Sequence, residues 1–337
     1  MRIALNGYGR IGRSFVRALV EREAAGEQVP VELVAINDVG RAEDLLYLTR
    51  YDTTHGPCRV PVELLDGVLR IGRHTPVLLE QADPAALPWG DMNIDVVLEC
   101  TGEFRGRDDA SKHLKAGAHH VIMGAVPFDD ADAIVVYGVN EQVLDGSQRV
   151  LSAASCTTHC ITPLLHILDA EYGVEQVLMK EVHAYTSDQN LLDHVHRDVR
   201  RGRAAAQNIV PTTSSAIGAA QKVLPWLADR ISGDSIRVPT LNVAMLDLNL
   251  SLKRTPDVHA LNAFMEAQSK KQPWLIGYND EPLVSADFYH RPESAVFDAT
   301  QTRVQGNLVH VVAWYDNEWG YANRLIDLLA HMTKTRL

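Results

Sequence analysis

The sequence predicts an α/β protein in two parts: a parallel sheet wrapped by helices, then an α+β domain built on a mixed or antiparallel sheet. Three observations lead there. Strand-like and helix-like runs alternate through the first half, a glycine-rich turn closes the first strand, and beyond about residue 155 strand-like stretches follow one another with few helices between. At 337 residues the chain also exceeds what one hydrophobic core usually holds, which favours two joined domains.

Taken in order, Ile3-Ala4-Leu5 is a short apolar run that ends in glycines, and Arg13 to Ala24 shows helical periodicity with Phe15, Leu19 and Val20 on one face. Val31 to Ile36 and Asp95 to Glu99 read as further strands, then a helix through Ala110 to Ala116 and a strand at His120 to Met123. In the second part a helix from Cys156 to about Ala170 precedes strands at Val177 to Val182, Ser235 to Val238, Leu241 to Ser251 and Leu308 to Trp314. Phe264 to Ser269 and Asn323 to Thr335 carry helical patterns. No low-complexity linker or repeat separates the parts.

Composition narrows the function. A net charge of -11 argues against nucleic acid as the main partner while leaving room for a local basic pocket. Four cysteines (Cys58, Cys100, Cys156 and Cys160) lack CxxC pairing and are too sparse for a disulfide framework, so a reduced, cytoplasmic setting is expected. No apolar run approaches the roughly 18–20 residues of a membrane span. The first residues enter an apolar strand at once, so no signal peptide is expected. No set of ligands with metal spacing is present, and CxxxC alone is a poor zinc signature.

Gly7-Tyr-Gly9-Arg10-Ile11-Gly12 fits GxGxxG between a strand and an amphipathic helix. Its glycines permit a tight turn and close approach of a pyrophosphate to a helix N-terminus, the arrangement of a Rossmann-type domain. Asp38, at the end of the second strand, suits an adenosine ribose and repels a 2′-phosphate, which favours NAD over NADP.

Ser155-Cys156-Thr157 lies where a turn of small residues meets an apolar helix. A cysteine in the first helical turn feels the positive end of the dipole, which stabilises thiolate, a strong nucleophile toward aldehydes. Considered alone, Cys156 reads more readily as an ordinary buried cysteine. A thiol nucleophile needs a base, and His183 ends a predicted strand; with fourteen histidines in the chain, spacing does not establish that the two meet.

Seven segments in order resemble glyceraldehyde-3-phosphate dehydrogenases: Asn6 to Arg13, Tyr51 to Gly56, Ser155 to Cys160, His183 to Gln189, Gly202 to Pro211, Ile236 to Thr240 and Trp314 to Tyr321. The resemblance implies residues 1-155 plus a C-terminal helix 321-337 as dinucleotide domain, 156-320 as catalytic domain, and a homotetramer. It implies Cys156 as the nucleophile that forms a thiohemiacetal and then a thioester, with His183 as its base. Asn317 would hold the nicotinamide carboxamide and Tyr321 would lie beside that ring. Thr186, Asp188 and Arg237 match the pocket for the phosphate of a phosphorylated aldehyde, and Ser155, Thr157, Ser214 and Ser215 the pocket for attacking inorganic phosphate. Guanidinium and hydroxyl groups suit both anions.

The chain departs from that pattern at several places. His159 replaces a usual asparagine, and two readings stand: tuning of the thiolate or nicotinamide surroundings, or a quiet packing change. Ser214-Ser215 replaces Thr-Gly, Gly218 a lysine and Gly124 a serine. His194-Val195 replaces a Leu-Pro pair that helps exclude NADP. Asp287 to Val304 looks more like the erythrose-4-phosphate dehydrogenase branch, which oxidises a longer aldose phosphate, often with water as acyl acceptor. The expected activity is therefore oxidative phosphorylation of glyceraldehyde 3-phosphate with NAD. Oxidation of a tetrose phosphate, a regulatory paralogue of low activity, and arsenate in place of phosphate are the alternatives.

Overall fold

The computed structural model describes residues 1–65 and 68–335. Its contacts divide the chain into two compact units, Met1–Ala154 with Ala322–Leu337, and Ser155–Tyr321. Arg336 and Leu337, at the end of the expected closing segment, lie outside the described residues.

The first unit opens with β1 (Arg2–Asn6), α1 (Arg10–Ala24), β2 (Glu32–Asn37) and α2 (Ala42–Arg50). Two small antiparallel pairs follow, β3 (Tyr51–Asp52) with β4 (Gly56–Pro57), and β5 (Val62–Leu65) with β6 (Val68–Ile71). Then come β7 (Val77–Leu79), β8 (Val96–Glu99), α3 (Arg107–Lys115), β9 (His120–Met123), β10 (Ala133–Ile134) and β11 (Val150–Ser152). The seven-stranded sheet runs β10-β11-β9-β8-β1-β2-β7, and every pairing in it is parallel. Strand order reverses between β1 and β8, the switch point at which parallel sheets open a crevice for a ligand. Ile3, Ala4, Leu5, Val96, Val97 and Leu98 are buried, as strands covered on both faces require. Helix α1 turns Phe15, Val16, Leu19 and Val20 inward. It starts at Arg10, three residues before its apolar periodicity does, because the end of the glycine motif is its first turn.

The second unit contains α4 (Cys156–Tyr172), β12 (Val174–Ala184), β13 (Val210–Thr212), α5 (Ala216–Val223), β14 (Ile231–Val238), β15 (Ala244–Leu252) and α6 (Val258–Lys271). It continues through β16 (Ile276–Asn279), β17 (Ala295–Asp298), β18 (Arg303–Gln305), β19 (Leu308–Tyr315) and the start of α7 (Trp319–Thr335). The mixed sheet is ordered β13-β14-β12-β15-β19-β17-β16, with β18 paired to β19. Within it β12/β14 and β16/β17 are parallel and the other pairs antiparallel.

Helix α4 lies against β12, β15, β17 and β19, and it buries Cys160, Ile161, Leu164, Leu165 and Leu168. Two strands differ from their sequence reading for local reasons. β14 begins at Ile231 because Gly233, at φ 158, brings the backbone so close to β12 that an added Cβ would sit 2.0 Å from Met179 O. β15 begins only at Ala244 because Val243 takes a left-handed φ of 70, which a continuous strand cannot contain.

Candidate active site

In the first unit the glycine motif forms a bare helix start. Gly7 has φ 92, and a Cβ there would lie 2.5 Å from Thr101 N at the end of β8. Gly12 is equally constrained, its imagined Cβ 2.5 Å from Gly7 O, whereas nothing lies within 4 Å of one at Gly9. Gly9 caps α1 without a side-chain bond, and the first turn carries no acidic residue. The helix thus starts beside open space at Gly9 with neither a capping side chain nor an acid in its first turn, the setting an anion requires. Asp38 braces this turn: Oδ2 accepts from Tyr8 N at 2.7 Å and Oδ1 from Gly40 N at 2.8 Å. Arg10 is paired with Asp52. The open face at Gly9 and the uncapped dipole fit a dinucleotide pyrophosphate.

Beneath the turn, Glu99 is buried and gathers Asn6, Thr101 and His113. It accepts from Asn6 Nδ2 at 2.5 Å, Thr101 N at 2.7 Å and His113 Nε2 at 3.0 Å. Trp89 Nε1 donates to His113 Nδ1 at 3.0 Å, which places that ring's proton on Nε2, toward Glu99. This network fixes the ends of β1 and β8.

In the second unit the thiol stands at the start of a helix. Ser155 caps α4, its Oγ accepting from Thr158 N at 3.1 Å, and Cys156 is the first helical residue. His183, near the end of β12, places Nε2 3.6 Å from Cys156 Sγ. Nδ1 of the same ring is 2.7 Å from Ala184 O, a contact that needs a proton on Nδ1 and leaves the Nε2 lone pair toward the thiol. Register brings the next component: His183 opposes Arg237 across β12 and β14. Arg237 Nη1 lies 3.2 Å from His183 Nδ1 and donates to Ala184 O at 3.3 Å.

Charge and burial pull on this pair together. Burial and the Glu181 carboxylate raise the Cys156 thiol above its ordinary value, against Thr157 and Arg237, which lower it. Burial and Arg237 push the His183 imidazole down, against Glu181, the Ala184 carbonyl and Glu318. Both shifts run toward the uncharged forms, thiol and imidazole. The α4 N-terminus favours thiolate once a proton acceptor is engaged.

The remaining predicted residues fall into three groups. Thr157 is buried, and its hydroxyl is committed to Glu181 Oε1 at 2.9 Å and Tyr315 OH at 2.8 Å, so the side chain faces the interior. Asn317 is buried with Oδ1 unpartnered among the described residues, an orphaned acceptor that suits a carboxamide N–H. Tyr321 packs edge-on against His159, ring centroids 5.3 Å apart. Ser214 Oγ accepts from Ala216 N at the start of α5, and Ser215, exposed, is the residue before that helix. Thr186 is half-buried. Asp188 is exposed and ion-paired with Arg201 at 2.5 Å and Arg197 at 3.2 Å. Among the described residues, no hydrogen bond joins Thr186, Asp188, Ser214 or Ser215 to the Cys156–His183 pair.

The departures from the family pattern are also placed. His159 is buried, with Nδ1 3.1 Å from Ser155 O on its own helix and its ring on Tyr321. Gly218 is exposed with open space around it, and Val195 is 90% exposed. Two site residues, Glu181 and Tyr315, escaped the sequence reading. Glu181 lies two residues before His183 on one strand and so on the same face, a signal that strand alternation carries.

Comparison with known proteins agrees with this geometry. The family described as glyceraldehyde 3-phosphate dehydrogenase, NAD binding domain, matches residues 1–107, and the corresponding C-terminal domain matches residues 155–317. The plasmid-encoded glyceraldehyde-3-phosphate dehydrogenase of Cupriavidus necator is 45% identical over 100% of this chain and 99% of its own length. The chromosomal enzyme of that organism is 44% identical over the same shares. The Pseudomonas aeruginosa enzyme is 45% identical over 97% of this chain and 96% of its own. A bare glycine turn at a parallel-sheet switch point, a helix-capped thiol within reach of an imidazole, and matches to both domains lead to one conclusion: the chain belongs to the glyceraldehyde 3-phosphate dehydrogenase family.

Proposed function

We propose that this protein is an NAD-dependent phosphorylating dehydrogenase that converts glyceraldehyde 3-phosphate to 1,3-bisphosphoglycerate. The observation that carries the reading is the 3.6 Å approach of Cys156 Sγ to a His183 Nε2 that holds a free lone pair. We assign dinucleotide binding to residues 1–155 with helix 321–337, and catalysis to 156–320. A homotetramer acting in the cytoplasm completes the reading.

His183 Nε2 takes the thiol proton as Sγ bonds to the aldehyde carbon and passes it to the former carbonyl oxygen, which gives a thiohemiacetal. Bound NAD supplies the acceptor for the hydride that leaves that carbon. The same Nε2, neutral again after that transfer, takes the hydroxyl proton back as the thiohemiacetal becomes a thioester. Phosphate oxygen then attacks the acyl carbon, the C–S bond breaks, and the thiolate returns to the α4 N-terminus as acyl phosphate departs. Asn317 Oδ1 would accept from the nicotinamide carboxamide, with Tyr321 beside the ring. The N–H groups of Arg10, Ile11 and Gly12 would meet the pyrophosphate, and Asp38 the ribose. Arg237, Thr186 and Asp188 would line the pocket for the substrate phosphate. Ser155, Thr157, Ser214 and Ser215 would line that for inorganic phosphate, with Thr157 contributing its backbone N–H because its hydroxyl is engaged.

The test is steady-state oxidation of glyceraldehyde 3-phosphate and erythrose 4-phosphate, with NAD or NADP, with and without phosphate. Phosphate-dependent turnover of the triose with NAD is the expected result. Preference for the tetrose, or indifference to phosphate, overturns it. Names of the relatives, all glyceraldehyde-3-phosphate dehydrogenases, support the triose over the tetrose.

A further inference from the structure

Behind the nucleophile lies a buried polar cluster that the reaction as derived does not use. Glu181 on β12 is 2% exposed, and its Oε1 accepts from Thr157 Oγ1 at 2.9 Å. Thr157 Oγ1 is in turn 2.8 Å from Tyr315 OH on β19. The same Oε1 is 3.9 Å from His183 Nε2, the atom that faces Cys156 Sγ. Glu181 Oε2 is buried without a partner among the described residues, as is Ser235 Oγ, which β12–β14 register places opposite it. A buried carboxylate with one satisfied oxygen is costly to keep, so its charge is felt by whatever lies near it. The nearest group that changes charge during turnover is the His183 imidazole.

We infer that Glu181 is a positioning residue that sets the protonation of the Cys156–His183 pair, as the counter-charge to the imidazolium formed when Nε2 takes the thiol proton. Thr157 holds the carboxylate in place from α4, and the Tyr315 hydroxyl on β19 meets Thr157 rather than the carboxylate. The role deepens the function proposed above and rests on it only for its catalytic arm. Other charged and titratable groups face the pair too: Arg237 from β14, Glu318 from the segment before α7, Cys160 from α4 and Tyr315 from β19. Glu181 is the buried anion among them that acts on both members, and it raises each. Arg237 acts in the opposite sense on both.

The direction of its effect makes the inference testable. Removing a negative charge lowers the pKa of every neighbouring acid, so Glu181→Gln should move two limbs to lower pH together. One is the rise of Cys156 alkylation by iodoacetamide, followed on its own peptide by mass spectrometry; the other is the acidic limb of kcat/KM for glyceraldehyde 3-phosphate. A shift of about 1 pH unit is expected for each, so alkylation below the thiol pKa runs about tenfold faster. Glu181→Asp, which keeps the charge, should return both limbs toward the wild type. Tyr315→Phe, which removes only the hydroxyl, should leave them in place.

If Glu181→Gln does not fold, Glu181→Thr removes the same charge, and failure of both to fold overturns the inference. So do unmoved limbs in a folded variant, or equal movement in Tyr315→Phe. Absence of turnover alongside a shifted alkylation profile would sink the proposed function and leave this inference standing.

Discussion

Replacing Asp52 by asparagine tests how the dinucleotide turn is anchored. The Asp52 side chain is 7% exposed and pairs with Arg10, whose side chain is 34% exposed, at the start of α1. Its Oδ1 also accepts from Thr54 N at 2.8 Å and His55 N at 2.9 Å. Burial alone would raise this carboxyl; the Arg10 guanidinium and the two N–H groups outweigh it and hold it at about 2. Against an ordinary value near 3.9, that separation corresponds to about 2.5 kcal/mol of stability when the group is ionised. Solvent screening of the partly exposed Arg10 reduces the contribution to roughly 1–2 kcal/mol.

The sign follows from linkage. A carboxyl whose folded value is depressed stabilises fully above about pH 4 and loses that contribution as pH falls toward 2. Asp52→Asn should therefore be roughly 1–2 kcal/mol less stable than wild type in urea unfolding at neutral pH, with a gap that closes between about pH 4 and pH 2. An unchanged stability at neutral pH, or a gap that persists below pH 2, would refute the reasoning.

Further outcomes concern the site directly. Gly9→Ala should leave the melting temperature unchanged, since nothing lies within 4 Å of the added Cβ, yet weaken NAD binding measured by calorimetry. Gly7→Ala, at φ 92 and 2.5 Å from Thr101 N, should cost about 2 kcal/mol or more of stability instead. Cys156→Ser should abolish reduced-cofactor formation with a native melt. His183→Asn should lower kcat by about 10²–10⁴, and slow alkylation of Cys156 at neutral pH. Asn317→Ala should weaken NAD binding by about fivefold, the worth of one neutral hydrogen bond, as read by titration of cofactor fluorescence.

Elements with a clean period were legible in the residues. The β9 span is the one its apolar run indicates, and α1 shows its buried face in Phe15, Leu19 and Val20. What escaped is short or masked by local backbone. Helix α2 is nine residues long and buries only Leu45 and Thr49, too little for a periodic stripe. Gly233 hides the start of β14, since a glycine demanded by close strand approach reads as a turn. The glycine motif and the thiol turn announce themselves through composition. Strand register, which sets His183 against Arg237, depends on pairings some fifty residues apart and leaves no local mark. Glu181 is the instructive omission, because alternation puts it on the face of His183 although charged side chains are seldom as buried as this one.

The discontinuity of the first unit has a consequence for synthesis. Most of α7 belongs with Met1–Ala154, where Arg22 donates to Asp327 Oδ1 at 2.8 Å and Tyr137 meets His331, ring centroids 5.7 Å apart. Those partners are made some three hundred residues after α1, beyond the whole of Ser155–Tyr321. On a ribosome the first unit therefore stays incomplete, without the buried Leu325, Ile326, Leu328 and Leu329, until the final helix emerges. The inserted unit, continuous in the chain, has no such wait. The unit begun first is therefore the one completed last, so the order of completion is the reverse of the order of translation.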